Sequence, residues 1–174
     1  MESDTFRSRL SKLALKSRKA LQLYSTVGKS KDTPSAEITE KQVGEWKKVN
    51  AALYQQLTNA LDSSNSKKLI SDIFAIRDRF YSEWRSAESG LHVKQKELVQ
   101  SAEHGDFAKS TLLSHELVTL KARVQASQAA HHEIQTVLKQ SRVSLPTIEL
   151  STEEIVEEFP VQRGTSKTVI PLRR

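Results

Sequence analysis

The sequence predicts an all-α protein, an elongated antiparallel helical hairpin or three-helix coiled-coil-like bundle with an N-terminal amphipathic helix and a disordered C-terminal tail. Three observations lead there. Apolar residues recur at spacings of three and four over four long stretches. The 174 residues include only five Gly and four Pro, too few turn-formers for a many-stranded sandwich or barrel. Hydrophobic residues make up 37% of the chain and charged residues 28%, so the core is thin and drawn out.

The first helical stretch covers residues 1–24. Phe6, Leu10, Leu13, Leu21 and Tyr24 line one side of it, and Arg9, Lys12, Lys16 and Lys19 repeat along a neighbouring side. A basic amphipathic helix can dock on the rest of the protein, lie on an anionic membrane, or touch nucleic acid. Residues 25–38 mix Gly, Pro, Ser and charges without periodicity and read as a linker. Gly28-Lys29-Ser30 is no phosphate loop, because that motif needs a glycine five positions earlier and Leu23 stands there.

Residues 39–143 form the expected bundle. Thr39 and Gln42 have capping-box spacing and open a helix over about 40–61. Val43, Trp46, Asn50, Leu53, Leu57 and Ala60 make its seam, with Asn50 as a candidate register-fixing polar residue. Asp62 to Ser66 is a turn. The next helix, about 66–104, presents Leu69, Ile73, Ile76, Phe80, Trp84, Ala87, Leu91, Leu98 and Ala102, and Gly90 is a candidate break or bend. Gly105 then stops the helix and Asp106 caps the one that follows.

That last helix, about 107–142, carries Leu113, Leu117, Leu120, Val124, Ser127, His131, Ile134, Leu138 and Ser141 in strict alternation of four and three. Phe80 and Trp84 are expected opposite this seam as the helix-packing or oligomer interface. Ser127 and His131 make the seam least apolar in the middle, either a wet seam of small residues including Ala126, Ala129 and Ala130 or a notch for another chain.

Residues 144–174 read as a flexible tail. Glu149, Glu153, Glu154, Glu157 and Glu158 form an acidic block, and Ser151 with Glu154 has capping-box spacing. Ile155, Val156 and Phe159 then supply one short apolar face, a candidate partner motif that folds on a groove.

The net charge of +6 is densest at the N-terminus, where residues 1–38 carry eight basic and four acidic side chains. With no Cys, disulfides, thiolate metal sites and cysteine nucleophiles are excluded. The five His show no metal-ligand spacing, and no hydrolase or dinucleotide motif is present. No catalytic residue, metal or cofactor is expected, and the chain is read as a non-enzyme. The function expected is a scaffold or adaptor subunit that assembles with other helical proteins, as a homo- or hetero-oligomer, and recruits a partner through its tail. The alternatives are a peripheral membrane protein held by the basic helix, or a subunit making weak nucleic-acid contacts without specific recognition. The expected location is intracellular, in cytoplasm or nucleus.

Overall fold

A computed structural model describes residues 2–27 and 34–143, with side chains over 5–26 and 39–143. Four helices follow in order: α1 (Glu2–Val27), α2 (Pro34–Leu61), α3 (Ser66–Glu103) and α4 (Phe107–Gln140). No strand occurs among the described residues. The expected tail, with Ile155, Val156 and Phe159, lies outside them.

Local chemistry sets each boundary. Pro34 opens α2 six residues ahead of the expected start, at a first-turn position where a missing N–H costs nothing. α1 in turn runs on to Val27, so residues 25–27 and 34–38 of the stretch expected as a linker are helical. Asn65 caps α3 by accepting hydrogen bonds from the Lys67 and Lys68 amides at 2.9 and 3.2 Å. At the other end of α3 the Asp106 amide donates to the Ser101 carbonyl and the Gly105 amide to the Ala102 carbonyl, both at 3.0 Å. That pattern is a Schellman motif, and it holds Gly105 at φ 71°, a conformation glycine adopts without steric cost. The Asp106 carboxylate then caps α4 by accepting from the Lys109 amide at 3.0 Å. A second motif of this kind, with Arg142 at φ 50°, ends α4 at Gln140, well before Pro146.

Of the three readings open for the basic helix the structure shows docking, and the expected three-helix bundle becomes one of four helices among the described residues. Phe6, Leu10, Leu13 and Ala14 of α1 are buried in the same core cluster as residues of α2, α3 and α4. α1 lies antiparallel to α2, pairing Tyr24 with Trp46 at one end and Arg7 with Leu61 and Ser63 at the other. It also lies antiparallel to α4, where Arg9 donates to Ser141 Oγ at 3.1 Å and Lys16 pairs with Glu133.

α4 is the central element, because α3 packs along one side of it while α1 and α2 cover another. The two sides differ in size. Leu113, Ser127, His131, Ile134 and Leu138 are buried on the seam with α3, as their spacing predicts. Ala122, Ala126 and Ala130 are buried a third of a turn round, and Ala126, Ala129 and Ala130 line a groove closed by Leu13 and Ser17 of α1 and Val49 and Leu53 of α2. The alanines are therefore the floor for α1 and α2, not a wet stretch of the α3 seam. Leaving them bare would deny α2 a close approach and its buried leucines a surface.

The core is concentrated at one end of the hairpin. It takes in α3 from Leu69 to Phe80 and α4 from Ala126 to Leu138. Toward the Gly105 turn the buried residues are Ala87, Ser101, Leu113 and Ala122, mostly small. Asn50, expected as a register-fixing seam residue, is half-buried and donates from Nδ2 to the Trp46 carbonyl of its own helix at 2.9 Å. Ala102 is exposed, and Ser101 takes its seam place.

α3 passes through Gly90 without a break and spans about 57 Å at 1.5 Å per residue. A Cβ at Gly90 would meet only Leu120 Cδ2, at 4.0 Å, an ordinary contact. Gly90→Ala is therefore expected to stabilise the fold by up to about 1 kcal/mol, raising the thermal midpoint by roughly 2–4 °C, read by circular dichroism. Overpacking the small face acts in the opposite direction. Ala126→Leu and Ala130→Leu, at residues 1% and 4% exposed, are each expected to cost about 1–3 kcal/mol in urea unfolding.

Candidate interaction site on the helical hairpin

The seam residues expected from sequence do come together. Leu113, His131, Ile134 and Leu138 are buried, as is Phe80 opposite them, while Leu117, Leu120, Val124 and Trp84 are half-buried. Ile134 and Phe80 are fully enclosed and anchor the hairpin at its core end.

Around Trp84 the helices gather aromatic rings on the outer side of the hairpin. Tyr81 stands edge-on to Trp84 at 5.8 Å between centroids, and His131 lies 5.4 Å from Tyr81 and 5.9 Å from Trp84. His132 completes the group at 6.0 Å from Trp84 and 5.7 Å from His131. The adjacent histidines both reach Trp84, although consecutive helical positions diverge by about 100°. His131 is 8% exposed and hydrogen-bonds through Nδ1 to the Arg77 carbonyl of α3 at 3.3 Å, whereas Tyr81 is 46% exposed. The result is an aromatic shelf open to solvent on one side, suited to stacking against a ring, a guanidinium or an apolar side chain.

Two polar atoms behind this shelf are buried without a protein hydrogen-bond partner: Trp84 Nε1 and Ser127 Oγ. Such groups lose their hydration without replacing it, at a cost of about 1–3 kcal/mol each. The seam is thus weakest at the position where its heptad pattern turns polar.

Farther toward the Gly105 turn, α3 and α4 are joined by charge. Lys94 pairs with Glu97 on its own helix at 3.0 Å and with Glu116 of α4 at 3.2 Å. The hydrogen bond to Glu97, then that to Glu116, holds the Lys94 ammonium above its ordinary pKa, with desolvation opposing. Large apolar side chains are uncovered at this end, with Phe107 80% and Leu112 67% exposed, and Val93 and Val99 more than half exposed. Leu112 lies 18 residues, about five turns, before Ala130, on the same side of α4. α1 and α2 cover that side at Ala126 and Ala130 and leave it open at Leu112.

The basic residues of α1 divide. Lys12, Lys16 and Lys19 are exposed, while half-buried Arg9 is turned to Ser141. Arg7, absent from the expected basic set, donates to the Leu61 carbonyl at 3.1 Å and to the Ser63 carbonyl, closing the C-terminal end of α2. Neither Arg7 nor the exposed Leu112, Phe107, Tyr81 and His132 were singled out from the sequence. Arg7 carries no sequence signal for its role, because its partners are backbone atoms 54 and 56 residues away. Leu112 could have been found, since it lies off the seam and in line with Ala122, Ala126 and Ala130.

Among the described residues no cluster of three or more His, Asp or Glu is placed to hold a metal ion, and no helix is long and apolar enough to cross a membrane. No family model, curated protein or solved structure matches the chain.

Ser127→Ala removes the orphaned hydroxyl at no loss of packing and is expected to raise stability by about 1 kcal/mol in urea unfolding. Lys94→Gln tests the cross-helix bridge. Because the folded-state pKa is raised, the bridge stabilises the protein fully below the ordinary lysine value of 10.5 and is lost as pH climbs through the folded-state value. The variant should unfold at lower urea concentration than the wild type at neutral pH, and the gap should close in alkaline solution.

Proposed function

We propose that this protein is a non-enzymatic helical scaffold or adaptor subunit inside the cell, and that the end of the α3–α4 hairpin near Gly105 receives a helix from another subunit. The observation that carries this reading is the bare continuation of the α4 face that α1 and α2 cover lower down. Leu112 extends the line of Ala122, Ala126 and Ala130, and Phe107, five residues earlier and about 140° round the helix, adds exposed apolar surface at the same end. A helix laid there would repeat the packing that α1 and α2 already make, in the coiled-coil-like geometry that the heptad spacing favours. The occupant is a helical chain, either a second copy or another subunit. The tail motif Ile155, Val156 and Phe159 recruits a further protein by the groove-binding mode open to short amphipathic segments.

The membrane alternative is weaker in its original form. Phe6, Leu10 and Leu13, the side chains that would enter lipid, are 3%, 0% and 5% exposed against α2 and α4. Their insertion would require α1 to leave the core. No specific nucleic-acid recognition is proposed.

Light scattering of the full chain and of a Phe107→Glu, Leu112→Glu double variant tests the reading. Both residues are exposed, so the variant should keep the wild-type thermal midpoint while its mass falls from that of an assembly to that of a monomer. A wild-type chain that stays monomeric at micromolar concentration, alone and with the helical subunits of its complex, would overturn it.

A further inference from the structure

We infer that the acidic segment Glu149–Phe159 folds back onto the outer face of α1 and is held there by charge. The inference goes beyond the adaptor reading and does not depend on it. Between Thr5 and Val27 α1 has six basic residues and no acidic one. Arg7 and Arg9 are engaged with α2 and with Ser141, and Lys16 with Glu133. Lys12, Arg18 and Lys19 are left exposed around Leu15, which is 49% exposed, and Leu23, which is 67% exposed. This face therefore combines uncompensated positive charge with two uncovered leucines, and it asks for a partner that is acidic and apolar together.

The chain supplies one. Residues 149–159 carry five glutamates, no basic residue, and Leu150, Ile155, Val156 and Phe159. The geometry of the exit delivers it to the right place. Ser141 at the end of α4 sits against Arg9, and the left-handed turn at Arg142 ends the helix and packs Val143 on the core. From there the face between Lys12 and Lys19 begins about 5 Å and ends about 15 Å along α1. Residues 144–148 can span at most about 17 Å, enough for Glu149 and its successors to lie along that face without strain. Tethering makes the contact intramolecular, so a modest attraction suffices to keep it closed. In this state α1's cations and the motif Ile155, Val156 and Phe159 cover each other, and a partner for either must displace the other.

The absence of cysteine makes the test direct. A spin label on Gln22→Cys, exposed on α1, is placed in the full chain, and the amide signals of residues 149–159 are read by NMR. In low salt these signals should broaden, and 1 M salt, where charges are screened beyond about 3 Å, should restore them. Reversing charge on the helix (Lys12→Glu, Arg18→Glu, Lys19→Glu) should restore them in low salt. So should reversal in the tail (Glu153→Lys, Glu154→Lys, Glu157→Lys, Glu158→Lys), which alters no residue of α1 to α4. Combining both reversals should bring the broadening back. Signals untouched by the label in the wild type, or equally broadened in the singly reversed proteins, would overturn the inference. Binding of phosphatidylserine vesicles or of RNA to the wild type with the tail signals sharp throughout would overturn it too, by assigning the face to that occupant.

Discussion

The fold depends on burying α4 along two sides at once. A helix with a single apolar stripe needs one neighbour, and such a stripe is what α3 offers and receives. α4 has a second stripe of small residues, and satisfying it requires α1 and α2. Alanines let helix axes approach closely, so leucines from α1 and α2 reach the α4 backbone surface and lose their water there. Removing α1 and α2 would leave α4 with an uncovered face and the short core at residues 69–80 without its roof.

Much of this was legible in the sequence, and the parts that were not share a cause. Helical content, the turn at Asp62–Ser66, the stop at Gly105 and the seam from Leu113 to Leu138 follow from periodicity and from caps acting within a few residues. What periodicity did not reveal was which element covers which stripe. α1's Phe6, Leu10 and Leu13 form the same stripe whether it meets lipid, a partner or the body of the protein. The second face of α4 was hidden because alanine counts little in a hydrophobic pattern, and because two neighbouring stripes blur each other when a helix is scanned for one. Gly90 was overweighted. Glycine costs helix stability but does not by itself break a helix held along its length by a neighbour.

The interaction site shows the same division. His131 and Trp84 belong to the heptads and were singled out, whereas Tyr81 and His132 come to the shelf from outside them. Leu112 looks like an ordinary member of an apolar-rich helix, and it acquires meaning only because the structure leaves it in water while covering Ala126 and Ala130 on the same face, with Phe107 exposed at the same end.

The pairing of Arg9 with Ser141, 132 residues apart, bears on how the chain is made. α1 emerges before α4 during synthesis, yet one of its supports, the alanine face of α4, belongs to the last of the four described helices to appear. Phe6, Leu10 and Leu13 must therefore wait until α4 has been made, with α2 as the earlier of their covers. A nascent chain in that position is most exposed to misassembly before α4 is complete, and closing the structure late is the cost of placing the central helix at the end of the fold.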